Sequence, residues 1–477
     1  MVSNIHPITP EEFTPEYRAS LWVRQHIAQF KAEKDGGVAA LDSNASYAAT
    51  LDVAADSADF ATYAKLRADR WAQRRTVRRV LRGTRPGKCG FEINKCAGKG
   101  VYWDAEHGSR ISGLQSCGSV WVCPVCNHKI QAGRFDEVKR LMDFCKEHDY
   151  GVVFGTLTVR HKRGDSLKAV TRMAQEVWRK SRSHRRIKDL FSRTHEIGYL
   201  RAMEVTYSHA NGWHDHFHCY YLFDHRLSKS EAADFSGAYA AEWVETAKRC
   251  GYSAPLMKNQ RFEVIDLDRV SSIEAAAKYC TISKTATTPQ TSKLGHELTN
   301  TQSKVGKVKR HANGRDVLHL TYWDFIRILE TEHNVTYRTL SAFSPELAKE
   351  GYTYDEVRAL AKEYYKATKG CRALIWSRGL RDMAGLGQEL TDEALAAQDF
   401  ASADSYRLTI WDYGAHVQRR EWLMPLMFAL MDATQGDLSL LMDFLDWHQV
   451  PFRFDDRADR GGTPLKKEKN GGNMPRP

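Results

Sequence analysis

Between Val152 and Leu267 apolar and polar positions follow two alternating rhythms. Val152–Val159 is an almost unbroken apolar run of strand length, and Leu167–Ser181 repeats its apolar residues every three or four positions, as a helix with one buried face does. Tyr199–Tyr207 and His214–Phe223 read as two strands joined across Asn211-Gly212. Ser228–Cys250 has helical spacing, Arg261–Leu267 reads as a strand and Ser271–Ile282 as a helix. The order strand, helix, strand, strand, helix, strand is that of a ferredoxin-like antiparallel sheet backed by helices, which puts the chain in the α+β class.

Around this unit the pattern is less regular. Residues 1–62 are rich in Ala, Ser and Asp and predict a weakly structured polar arm or small helical pieces. A charged helix is expected from Tyr63 to Leu81, ended by Gly83 and Pro86. Residues 89–126 are turn-rich, and a helix follows from Lys129 to Glu147 with Ile130, Val138, Leu141 and Phe144 on its apolar face. The domains expected are thus 1–62, a basic helix and Cys-rich module over 63–128, the sheet domain over 129–320, a mainly helical region over 321–457 and a disordered tail from Ala458.

One strand carries chemistry. In Trp213-His214-Asp215-His216-Phe217-His218 the histidines fall at every second position, so a strand projects His214, His216 and His218 from one face and buries Phe217, Cys219 and Tyr221 behind them. Imidazoles converging on one point suit a divalent metal. In the hairpin expected between the two strands, over a Ser208–Trp213 turn, Thr206 opposite His216 places Glu204 opposite His218, on the histidine face. Glu204 is then a further metal ligand, or a carboxylate paired with Arg201 or another base on the DNA-facing surface.

The cysteines make a second group. Cys123-Pro124-Val125-Cys126 is a CxxC pair, preceded by Cys117, Cys96 and Cys89. This spacing fits one tetrahedral zinc held by Cys117, Cys123, Cys126 and either Cys89 or Cys96, with His107 and His128 as further candidates. No export signal is visible and the other five cysteines are scattered, so a reducing, cytoplasmic setting is expected rather than disulfides. Loss of the zinc would destabilise the fold.

Charge adds a partner. The net charge is +11, and Lys65–Lys88 holds ten Lys or Arg residues against one Asp. A second cluster runs from Arg179 to Lys188, and Lys304, Lys307, Lys309, Arg310 and Arg315 form a third in a loop-like stretch. Three basic clusters point to nucleic acid, with Arg74, Arg75, Arg78, Arg79, Arg182, Arg185 and Arg186 as DNA contacts. No apolar run of membrane-spanning length occurs in a chain of 477 residues, and Gly83–Cys89 lacks the spacing of a phosphate-binding loop.

Downstream, Glu274-Ala275-Ala276-Ala277-Lys278-Tyr279-Cys280 places a Lys-Tyr pair on the helix expected after the sheet. Lys278 would lower the phenol pKa of Tyr279 or hold a phosphate; Tyr364 and Tyr365 are a second pair with lysine neighbours. Phe154-Gly155-Thr156-Leu157-Thr158, His216-Phe217-His218-Cys219-Tyr220-Tyr221 and Ala277-Lys278-Tyr279 resemble, in order, the three motifs of rolling-circle plasmid replication initiators, which are HUH endonucleases. Cys117–Cys126 and Trp376–Arg381 are similar to segments of one plasmid branch, so the resemblance covers roughly 85–290 and 370–395.

The resemblance implies an HUH nuclease domain that nicks single-stranded origin DNA. Tyr279 would form a 5′-phosphotyrosine and leave a 3′-OH primer, with Mg²⁺ or Mn²⁺ held by His216 and His218. His214 would be a third ligand or a DNA contact. It also implies duplex origin DNA and a host helicase as partners. Single-tyrosine relatives carry a glutamate four residues before the tyrosine to activate water. Here Glu274 stands five before, about 140° around the helix, so Asp266 or Asp268 is an alternative base. Competing readings are a transposase of the same chemistry, a zinc hydrolase using the histidines, and a non-catalytic zinc-module regulator, which would leave the histidines and Tyr279 idle.

Overall fold

The structure is a computed structural model that describes residues 15–35, 70–95, 98–104, 108–268, 307–310, 316–330, 352–397 and 408–454. The chain forms two compact units, one made of 1–75, 89–115 and 399–477, the other of 76–88 and 116–398. This division crosses the boundaries expected from the sequence. Residues 322–397 belong with the histidine sheet, whereas 408–454 belong with the N-terminal segments.

In the larger unit the strands are β1 (Gly151–Thr158), β2 (Glu196–Ser208), β3 (Gly212–Phe223), β4 (Arg261–Val264), β5 (Lys307–Arg310), β6 (Asp316–His319) and β7 (Leu374–Trp376). Its longer helices are α1 (Pro124–Glu147), α2 (Leu167–Ser183), α3 (Arg185–Arg193), α4 (Lys229–Arg249), α5 (Tyr322–Glu330) and α6 (Tyr354–Thr368). The main sheet is antiparallel with order β4-β1-β3-β2-β7, and β5 pairs with β6 in a separate hairpin. Lys307, Lys309 and Arg310 of the third basic cluster therefore lie on a strand, whereas Lys304 and Arg315 lie outside the described residues. The helix expected over Ser271–Ile282 lies outside the described residues.

Local chemistry explains the elements. Ser166 caps α2 by accepting from the Ala169 amide, and Ser228 opens α4 with a reciprocal capping box to Glu231. Pro124 starts α1, where a missing amide proton costs nothing. The hairpin β2–β3 turns through 209–211 into Gly212, whose φ of +76° and close approach to the Arg163 backbone exclude a side chain.

The two faces of the sheet are used differently. On one, Phe217, Cys219 and Tyr221 pack beneath Trp178 of α2 and Phe235, Tyr239 and Trp243 of α4, all buried. On the other, Phe135, Val138, Leu141, Met142 and Cys145 of α1 cover Val152, Leu222, Tyr220, Leu200, Ala202 and Leu374. This cover extends to Ala202, the ladder partner of His218.

The smaller unit has a four-stranded antiparallel sheet in the order Phe452–Phe454, Leu408–Ile410, Lys99–Asp104, Gly108–Ile111. Helices Pro15–Asp35, Leu423–Ala433 and Leu438–Trp447 complete its core. The first of these is a helix of 21 residues within the stretch expected as a weakly structured arm or small helical pieces: Ala19, Val23 and Ile27 recur every fourth residue and are fully buried.

Candidate functional site

The histidines sit where β3 crosses the middle of the larger sheet. On one side Thr158 pairs with His216 and Thr156 with His218; on the other Glu204 pairs with His216, Ala202 with His218 and Thr206 with His214. The ladder thus differs by two residues from the expected register, because the turn is only 209–211. A shift of two preserves the face, so Glu204 still points to the histidine side.

There three atoms converge. Glu204 Oε2 lies 2.9 Å from His218 Nε2 and 3.5 Å from His216 Nε2, and the two Nε2 atoms are 3.2 Å apart. Metal–ligand bonds of about 2.0–2.2 Å place neighbouring ligand atoms about 2.8–3.5 Å apart, so the set fits one ion. Glu204 and His218 are buried and His216 is nearly so. His214 is not in this group: its Nδ1 lies 3.0 Å from Nε2 of His161, a residue the sequence did not single out and whose pKa burial lowers.

Two further residues lie on this face, Thr156 of the Phe154–Thr158 motif and Arg261, which the sequence did not single out. Thr156 Oγ1 lies 3.3 Å from His218 Nδ1, and Arg261, paired with Thr156 from the edge strand β4, is exposed. Both reach the site through strand pairing distant in sequence, which local pattern does not reveal. Beneath His216 and His218, Asp215 is fully buried and burial pushes its carboxyl up to about 7, with Arg201 acting in the opposite sense. Arg201 is itself buried on the helix side, its guanidinium over the Phe217 ring, so Glu204 does not pair with it.

Tyr279, Lys278 and Glu274 lie outside the described residues. Asp268 is exposed and pairs with Arg226, while Asp266 Oδ1 accepts from the Asp268 amide. Tyr364 is no substitute for Tyr279: it is buried in α6, stacked on Tyr322, and burial pushes its phenol far above the usual range.

The cysteines gather at the start of α1. Cys117, Cys123 and Cys126 are buried with their sulphurs within 4.8 Å of one another, and Cys117 and Cys126 are 3.6 Å apart. That is too long for a disulfide and close to the spacing of two thiolates on one tetrahedral zinc, about 3.8 Å. The Ser119 amide points at Cys117 Sγ, 3.5 Å away, and Cys126 lies in the first turn of α1. Cys89 is buried as well and belongs to the smaller unit. Cys96 and His107 are outside the described residues, and His128 is not part of the cluster.

The arginines assigned to DNA divide. Arg185 and Arg186 are exposed on α3, which packs against α4 on the face opposite the histidines. Arg182 is instead enclosed: its guanidinium lies 4.0 Å from the Tyr199 ring and 4.3 Å from Phe191, and pairs with Glu196 at 3.1 Å. Arg74 is buried beside Trp71, Arg75 and Arg78 are half-buried, and Arg79 donates to the Leu329 carbonyl. The exposed cations of this segment are Arg82, Arg85 and Lys88. No residue of the helix over 70–80 is exposed, which a count of basic residues does not disclose.

Residues 109–313 match the family of replication proteins. The match covers less than half of the chain. The matched stretch contains the histidine strand, Glu204 and the cysteines at the start of α1. The chain is 27% identical to a protein rep of Streptomyces lividans over 58% of this chain and 65% of that protein. It is 28% identical to a protein rep of Bacillus amyloliquefaciens over 32% and 40%, and 26% identical to a neomycin resistance protein of Streptomyces cyanogenus over 29% and 39%. The chain therefore spans less than two thirds of each of these relatives. These relatives and the family match support the resemblance to rolling-circle plasmid initiators carried by the motifs. No solved structure matches. Among the described residues, no helix is long and apolar enough to cross a membrane.

Proposed function

We propose that this chain is a plasmid rolling-circle replication initiator, a single-strand DNA endonuclease and strand transferase of the HUH class. The observation that carries the reading is the convergence of Glu204, His216 and His218 on one face of an antiparallel sheet, within the stretch that matches replication proteins. The order β1-α2-β2-β3-α4-β4, with sheet order β4-β1-β3-β2, supports a ferredoxin-like nuclease core.

His216, His218 and Glu204 would hold one divalent ion, Mn²⁺ or Mg²⁺, which neutralises charge on the scissile phosphate. Tyr279 attacks the phosphorus through its phenolic oxygen. A bond forms from Tyr279 to phosphorus, the P–O3′ bond breaks, and the departing oxygen takes up a proton to become the 3′-OH primer. The phosphotyrosine retains the ester, so the strand is rejoined without ATP. Lys278 favours the phenolate by its charge. Cys117, Cys123 and Cys126 would supply three thiolates to a structural zinc. Origin DNA is the substrate, and strand separation falls to a host helicase.

The test is mass analysis of the protein incubated with single-stranded origin DNA and Mn²⁺. An oligonucleotide adduct on Tyr279, absent in Tyr279→Phe with DNA binding retained, is the expected result. Cleavage at the wild-type rate by Tyr279→Phe overturns the nucleophile.

A further inference from the structure

We propose that Thr156 is a positioning residue that fixes the orientation of the His218 ring, so that Nε2 faces Glu204 and His216. This rests on the metal reading above and gives the Phe154–Thr158 segment a role in it.

An imidazole has two nitrogens, and turning the ring over exchanges them. His218 would ligate only if Nε2 stays toward the Glu204 carboxylate. Two features of β1 oppose a turn. Thr156, directly across the ladder, brings Oγ1 to 3.3 Å from Nδ1. Phe154, two residues earlier on the same face, lies nearly parallel to the imidazole, with 5.3 Å between centroids and 19° between planes. The aromatic ring restricts tilt, and the hydroxyl distinguishes the nitrogens.

With Nε2 free of its proton for a metal, Nδ1–H donates to Thr156 Oγ1. Histidine ligands commonly donate their second N–H in this way, which raises their basicity and fixes the ring. A hydroxyl suits the position because it accepts this bond without adding charge beside Glu204. His216 differs: its buried Nδ1 has no hydrogen-bond partner among the described residues. His218 is the held imidazole of the pair and His216 the adaptable one.

The experiment compares full-length wild type, Thr156→Val and Thr156→Ser by calorimetric Mn²⁺ titration without DNA, by thermal melting and by crystallography. Valine keeps the shape and removes the hydroxyl. It should weaken Mn²⁺ binding about 10- to 100-fold with little change in melting, while serine stays within about threefold of wild type. Wild-type affinity in Thr156→Val, or equal loss in valine and serine, overturns the proposal. Should Thr156→Val fail to fold, Thr156→Ala takes its place with the same expected loss. If wild type binds no Mn²⁺, the metal reading falls by itself. Thr156 is then judged by the crystal structures: a His218 ring turned over in the valine variant supports it, and an unmoved ring overturns it.

Discussion

Glu204 stands directly across the ladder from His216, yet its nearer imidazole is that of His218, with Oε2 and Nε2 2.9 Å apart. The carboxylate reaches diagonally, which brings three side chains from two adjacent strands to one point. Glu204→Gln should therefore lower Mn²⁺ affinity at least about tenfold, or about 1.4 kcal/mol, and slow cleavage with it. Titration of metal into the DNA-free variant measures this. Unchanged affinity removes Glu204 from the site.

The cysteine cluster should matter to folding rather than to chemistry. Protein purified under reducing conditions is expected to carry about one zinc per chain, and Cys123→Ser or Cys126→Ser should lower the melting temperature by several degrees. Elemental analysis without zinc, or full stability after chelation, would contradict the site.

Arg182 separates packing from DNA contact. Arg182→Ala removes the cation from an aromatic enclosure and leaves the Glu196 carboxylate buried without its partner, a loss of about 2–4 kcal/mol. Arg182→Lys should recover part of this, since it restores the charge but not the planar contact. Neither should weaken DNA binding by the folded protein. A DNA-binding defect with unchanged urea midpoint would return Arg182 to the interface.

His448 predicts an acid-sensitive step in the smaller unit. Burial first, and the Arg420 charge second, hold its imidazole down at about 4, below the ordinary value of 6.5. Folding thus disfavours the charged ring. The stability it permits is present above about pH 6.5 and is lost as pH falls toward 4. His448→Phe keeps the packing against Phe444 and Trp447 but does not titrate. Melting curves across this window should show wild type losing stability relative to the variant, and parallel curves would refute the assignment.

Much of the larger sheet was legible because its elements are local and long. Leu167–Ser183, Lys229–Arg249 and the two central strands follow apolar periodicity almost residue by residue. Alternation also gave the face of Glu204, since side-chain direction depends only on whether a register is odd or even. It did not give the register, which the short turn at 209–211 decides. Leu374–Trp376 is three residues long and pairs with a strand nearly two hundred positions away, so no pattern announces it. Thr156 and Arg261 reach the site by the same kind of distant pairing. Arg74 and Arg182 misled for a related reason: the rings beside and around them are visible only once the chain is folded.

The ladder between β2 and β3 runs without interruption from Gly198 and Leu222 to Ser208 and Gly212. This places different demands on chain length at neighbouring points. Residues 209–211 lie beyond the last pair, so the loop can lengthen there while the strands stay aligned. One residue added between Glu204 and Ser208, with the pairing kept, would rotate the carboxylate to the helix side. A relative that differed in this way would keep every ligand in its sequence and still have lost the site.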